Sequence, residues 1–226
     1  MPQSEMSNNN ATGRVDPILS AFIFRKISRK ITSRLLPTAL TPNQVTLISM
    51  LCGLLSAFLI FLGGYKREIL GVIILQIAYL LDVVDGDLAR AKNMQSLWGR
   101  NLDLISDRFT DALLIIATSV AAFKDLHDTS ALLWGAFAVT GYLFFNYLTD
   151  VWLFPLADAD SDEQHINVIS IMGKKVFISA YEALIVTVSL AVILKKLKFA
   201  IILCTIFSLL ACSIQILRIY KISLRQ

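Results

Sequence analysis

Long apolar runs recur along the chain at about 43–63, 69–91, 99–123, 131–154, 176–194 and 199–218, each near the roughly 20 residues a helix needs to cross hydrocarbon. The polar breaks between them are short, except "PLADADSDEQHINVISIMGKK" after the fourth run. A different period precedes them, in "LSAFIFRKISRKITSRLLPTA" (residues 19–39). There Phe24, Ile27, Ile31 and Leu35 recur at helical spacing, while Arg25, Lys26, Arg29, Lys30 and Arg34 fall outside the stripe. This predicts an amphipathic helix lying on an anionic leaflet, short of a full apolar span. The opening "MPQSEMSNNNATGRVDP" is polar and predicts a disordered tail, without the basic start and apolar core of a signal peptide. The expected fold class is all-α: a polytopic membrane protein with six transmembrane helices behind an N-terminal interfacial helix. Its expected parts are a tail (1–17), the juxtamembrane helix (18–39) and a six-helix catalytic domain (40–226). No internal repeat is evident.

Composition agrees with that class: 56% of the 226 residues are hydrophobic and the mean hydropathy is +0.65, well beyond a soluble domain. The net charge of +4 comes without a basic block interleaved with aromatics, which sets a nucleic-acid partner aside. Cys52, Cys204 and Cys212 lie in apolar runs without metal-ligand spacing and read as packed or lipid-facing residues. Most lysines and arginines outside the spans fall on the side that carries the N-terminus. The positive-inside rule therefore predicts an integral membrane protein with both termini cytoplasmic, and with the turn after the second span cytoplasmic as well.

That turn holds the unusual chemistry. "DVVDGDLARAKNMQSLWGRNLDLISD", Asp82 to Asp107, concentrates five aspartates between two apolar runs. At helical spacing Asp82, Asp85, Gly86 and Ala89 share one face, and Gly99, Asp103 and Asp107 share a face of the next helix. A short turn makes the two helices antiparallel neighbours, so the faces can meet. Four carboxylates in one partly dry cleft need compensation. Hard oxygen ligands without a His or Cys cluster point to Mg²⁺, Mn²⁺ or Ca²⁺. A pair of such ions can hold a diphosphate. Gly86, Ala89 and Gly99 leave room for a flat base or a diphosphate, and Arg90 suits a phosphate oxygen.

The spacing D-x2-D-G-x2-A-R-x8-G-x3-D-x3-D is met throughout by Asp82, Asp85, Gly86, Ala89, Arg90, Gly99, Asp103 and Asp107. It resembles the signature of the CDP-alcohol phosphotransferases (CDP-alcohol phosphatidyltransferase family). "LTPNQVTLIS" at the start of the first span is similar to that family's segment there. The resemblance extends over about residues 20–220. It implies that Asp82, Asp85 and Asp103 are ligands of two divalent cations, Mg²⁺ or Mn²⁺. It makes Asp107 the base that deprotonates the acceptor hydroxyl, with metal contact as a further role. Gly86, Arg90 and Ser96 would contact the cytidine diphosphate moiety, and Asn43 and Thr46 would contribute from the first span. The implied reaction moves a substituted phosphate from a CDP-alcohol donor, lipid-linked or polar like CDP-inositol, to a polar alcohol acceptor, releasing CMP. A homodimer working in phospholipid synthesis among membrane lipids is implied too.

Plainer readings stand beside these. Asn43 and Thr46 are also ordinary helix-start residues after Pro42, Ser96 an ordinary turn residue, and Arg90 a topology determinant. Asp87 reads as solvated or salt-bridged, Asp111 as supporting, and Arg108 as the partner of a carboxylate. Lys174 and Lys175 suit either an anionic acceptor or topology. Glu182 and Asp150 have no partner assignable from sequence. His127 and His165 read as surface loop residues, and "DADSDE" (158–163) as a solvated loop. A cation transporter is the rival from another class, and an inactive scaffold a second.

Overall fold

The computed structural model describes residues 16–153, 168–171, 174–177 and 179–224. The expected tail before residue 16, the acidic 158–163 loop and His165 lie outside them. A π-helical turn, Ser20–Phe24, leads into α1 (Arg25–Leu35). There follow α2 (Pro42–Leu62), α3 (Tyr65–Ala91), α4 (Leu97–Leu126), α5 (Ser130–Tyr147, continued by a π-helical Leu148–Leu153), α6 (Ala180–Leu194) and α7 (Leu197–Ser223). Local chemistry sets several boundaries. Thr41 and Gln44 form a reciprocal capping box with Pro42 in the first turn of α2. Ser96 and Ser179 cap α4 and α6, accepting from Gly99 N and Tyr181 N at 3.0 and 3.2 Å.

Four of these helices, α2, α3, α5 with its continuation, and α7, are long and apolar enough to cross a membrane. The long α4 is broken up by Arg100, Asp103, Asp107, Arg108 and Asp111. The fifth expected span, drawn from residue 176, begins later: α6 has 15 residues, because the preceding stretch is extended. There β3 (Lys174–Phe177) pairs antiparallel with β2 (Val168–Ile171) and in parallel with β1 (Asp16–Pro17), in the order β1-β3-β2. The fold is helical as expected, with this small sheet in addition. The β-branched "VISI" and the Val-Phe end of "KKVF" favour strand, and the first described residues of the chain supply one edge.

The bundle is held by close approach and shared hydroxyls rather than by apolar side chains alone. Ser49 Oγ donates to Ala78 O at 2.8 Å, linking α2 to α3. Ser119 Oγ reaches Ala131 O at 3.0 Å and Thr205 Oγ1 reaches Trp134 O at 3.0 Å, tying α5 to α4 and α7. Small and hydroxyl residues at helix contacts are the usual membrane solution, since lipid offers no hydrophobic drive between helices. Large apolar side chains point outward instead, among them Leu55, Phe58, Leu133, Phe137, Leu210 and Leu217.

On α1 the expected stripe is only partly turned inward. Phe24, Ile31 and Leu35 pack against the bundle, while Ile27 stays 43% exposed. The centre of the packed face is Ser28 and Thr32. A polar group fits there because Ser28 Oγ donates to Asp87 Oδ2 of α3 at 2.6 Å.

Candidate active site

The two acidic faces meet as their spacing predicts. Carboxylate oxygens of Asp82 and Asp85 on α3 and of Asp103 on α4 lie within 4.8 Å of one another. Asp85 is buried, and Thr46 of α2 donates to its Oδ2 at 2.5 Å, fixing the carboxylate's orientation. Asp103 Oδ1 is buried and accepts no hydrogen bond among the described residues. Three converging carboxylates with an unsatisfied oxygen, and no sulfur or imidazole beside them among the described residues, fit a hard divalent cation of the Mg²⁺ or Mn²⁺ kind. Asp107 stands one turn further along α4, outside that trio.

All four carboxylates line one cavity of about 420 Å³. At its rim Arg90 leans over Gly86, where an added Cβ would meet the guanidinium nitrogens at 3.3 Å. Behind the rim, Asp87 Oδ1 accepts from Arg90 Nη2 at 2.7 Å and from Arg25 of α1. On the far wall Arg108 pairs with Asp150 at 2.9 Å, and Tyr142 donates to the fully buried Asp111 at 2.6 Å. Gln215 of α7 donates to Thr149 at 2.9 Å on the same wall. A fourth side comes from the N-terminal segment through Pro17 and Ser20. Glu182 of α6 holds it, accepting from the backbone N–H groups of Leu19 and Ser20 at 3.0 and 2.8 Å and from the Tyr79 hydroxyl.

Residues 39–223 match the family model for CDP-alcohol phosphatidyltransferases. The chain belongs to that family. It is 37% identical over 102 residues to a bifunctional IPC transferase and DIPP synthase of Aquifex aeolicus, a match covering 44% of this chain and 23% of that protein. The chain therefore spans less than a quarter of this curated relative's length. Its fold resembles that of the Mycobacterium tuberculosis phosphatidylinositol phosphate synthase solved with CDP-DAG bound, with a TM-score of 0.67. The identity there is 16%, over 86% of this chain and 94% of that one. The same synthase solved with manganese and citrate gives 0.65 at 15% identity, over 85% and 88%.

Within this family member most of the expected residues sort into three places. Asp82, Asp85, Gly86, Arg90, Asp103 and Asp107 line the cavity. Thr46 lies behind Asp85, as a support for the carboxylate. Asn43, Ser96 and Gly99 make a separate corner: a Cβ on Gly99 would meet Asn43 Oδ1 at 3.0 Å and Ser96 Oγ at 3.1 Å. Neither that corner nor Ala89 borders the cavity. Sequence reasoning missed Arg25, which it placed with the leaflet-facing cations, and it left Glu182 without a partner. Arg25 carried one signal: at helical spacing it lies three residues before Ser28, at the edge of the packed face.

Proposed function

We propose that the chain is a divalent-metal-dependent transferase of phospholipid synthesis. It moves the substituted phosphate of a lipid-linked CDP-alcohol to the hydroxyl of a phosphorylated polyol and releases CMP. The observation that carries this reading is the convergence of Asp82, Asp85 and Asp103 on one wall of a cavity shared with Asp107. Donor and acceptor classes are supported by the CDP-DAG-bound synthase and its inositol phosphate product name. Asp82, Asp85 and Asp103 would hold Mg²⁺ or Mn²⁺, with Asp107 the further carboxylate for a second ion. Bound there, the metal supplies charge neutralisation for the diphosphate and its departing CMP.

The chain's own groups do the rest. Asp107 accepts the proton of the acceptor hydroxyl as its oxygen bonds to the donor's phosphorus. The bond from that phosphorus to the bridging oxygen breaks, and CMP leaves with the electron pair. Arg90 pairs with diphosphate oxygens, and Gly86 keeps the α3 surface beside it open. Asn43, Ser96 and Gly99 shape the neighbouring corner on the nucleotide side, and the small Ala89 leaves room on α3. In this reading α4 and α6 also cross the membrane, giving six spans behind the interfacial α1. Both termini and the cavity mouth face the cytoplasm, and the enzyme works as a homodimer.

Purified protein in detergent with Mg²⁺ or Mn²⁺ tests this, by CMP release from CDP-DAG or CDP-inositol with inositol phosphate and other polar alcohols. Release that needs a lipid CDP-donor and is lost in Asp107→Asn is the expected result. Release with CDP-inositol alone would move the donor to the polar class. Cation flux in liposomes without CMP release from any pair would overturn the transferase reading.

A further inference from the structure

We infer that Arg25 is a phosphate-binding residue of the cavity, brought in by the N-terminal helix and held, together with Arg90, by Asp87. The inference rests on the transfer reaction proposed above.

Arg25 differs from the other cations of its helix. Lys26, Arg29, Lys30 and Arg34 are exposed, whereas the Arg25 side chain is 13% exposed and lines the same cavity as the carboxylate trio. One carboxylate links it to the cavity's other arginine. Asp87 receives Arg25 and Arg90 on Oδ1 and Ser28 Oγ on Oδ2. Arg25 and Arg90 border the cavity and Asp87 does not. The negative charge thus sits behind two guanidiniums, and both border the space where a diphosphate or phosphate ester would lie. Guanidinium forks match phosphate oxygens in pairs, and pre-placement by a carboxylate lowers the ordering cost of binding.

A purely structural role explains less. The N-terminal segment is already attached to α3 by Ser28, which reaches Asp87, and by Lys92, whose Nζ donates to Thr38 O and Leu40 O at 2.7 and 2.8 Å. Desolvating an ion pair offsets much of its attraction, and apolar packing at that joint would hold as well. Placing two arginines on a cavity wall that also carries metal-binding carboxylates is explained by an anionic ligand between the two sets. Asp87 is then a positioning residue, while Arg25 touches the substrate.

The ligand chemistry is a phosphate oxygen, from the donor's diphosphate or from a phosphate ester on the acceptor. The test measures initial rates of CMP release by the full chain. CDP-DAG and inositol phosphate are varied in turn, with unphosphorylated inositol as a third arm. Arg25→Ala should raise one KM about tenfold or more, the loss of a charge-assisted pair, with kcat within about threefold of the wild type. A raised donor KM assigns the diphosphate; a raised inositol phosphate KM, with the inositol arm unmoved, assigns the acceptor ester. Asp87→Asn should raise the same KM, and Asp87→Glu should restore part of it. Should Arg25→Ala not fold, Arg25→Lys carries the test, since it keeps the charge and loses the fork; its KM should rise as well. Unchanged KM values for both substrates in the folded Arg25 variant would overturn the inference. Absence of CMP release from the wild type would instead overturn the transfer reading beneath it.

Discussion

Glu182→Ala is the substitution whose effect can be followed furthest from the structure. Glu182 is 4% exposed and belongs to α6, yet its hydrogen bonds hold residues more than 160 positions earlier. It accepts from Leu19 N at 3.0 Å, from Ser20 N at 2.8 Å and from the buried Tyr79 hydroxyl. Truncation leaves three donors facing an apolar side chain. The two backbone N–H groups can regain water only if the segment swings out, so the loss is read as undocking. At about 1.5 kcal/mol for each hydrogen bond to a charged group, the two backbone bonds are worth about 3 kcal/mol to the docked state. Each 1.4 kcal/mol is a factor of about ten, so the undocked population should rise about a hundredfold. Hydrogen exchange in detergent measures this directly at the amides of Ser20–Phe24, which should lose about two decades of protection. The amides of α2 and α5 should keep theirs. Glu182→Gln, which retains one acceptor oxygen, should fall between. Unchanged protection at Ser20–Phe24 in Glu182→Ala would refute the reasoning, and equal losses throughout the bundle would show a general packing defect instead.

Other expectations are independent of that segment. Thr46→Val removes the donor to Asp85 at 2.5 Å, and the metal concentration for half-maximal activation should rise about 10–100-fold, as for other supporting partners of metal ligands. Gly71→Leu should destabilise the folded protein by about 1–3 kcal/mol, read as a lower Tm in detergent, because even a Cβ there would meet Ile60 Cγ1 at 2.9 Å and Ser56 O at 3.0 Å. At the opposite end of the bundle from α1, the hydrogen bond from Lys198 holds the Asp128 carboxyl down at about 2, below its ordinary 3.8. A lowered folded pKa stabilises above the unfolded value and is lost as pH falls. Wild type and Asp128→Asn should therefore differ in Tm near neutrality by a small margin and converge between pH 4 and 2, and a gap persisting at pH 2 would contradict the pairing.

How much could be read in advance depended on whether an interaction is carried by helical period. Asp82, Asp85 and Asp103 were legible because one period places two carboxylates on a face, and the short turn forces that face against the next helix. The approach of Gly99 to Asn43 was not legible, because it joins two helices that no period relates. Thr46 was expected to contribute from the first span, and its hydroxyl donates to Asp85, a pairing that spacing within one helix does not announce. Arg25 escaped because amphipathic counting treats every cation outside the apolar stripe as solvent-facing, whereas a half-buried aspartate on another helix can draw one inward. Glu182 was illegible for a similar reason: two of its three partners are backbone groups, which no pattern of side chains announces. The extended β3 replaced the start of an expected span because apolar β-branched residues satisfy either reading until a pairing strand is present.

The parallel pairing of β1 with β3 has a consequence for how the protein is made. A ribosome delivers α1 to α4 first, and with them every carboxylate of the metal-binding wall. The strand that pairs with Asp16–Pro17 and the glutamate that grips Leu19 and Ser20 emerge only after α5. Throughout that interval the nascent chain carries an acidic cleft with one side missing and an N-terminus waiting for its partner. Such distant pairings form slowly because a long loop must close before any contact rewards it. Completion of the cavity is thus a late event in biogenesis. A chain arrested before Lys174 would present the acidic faces without the closed cavity in which substrates meet.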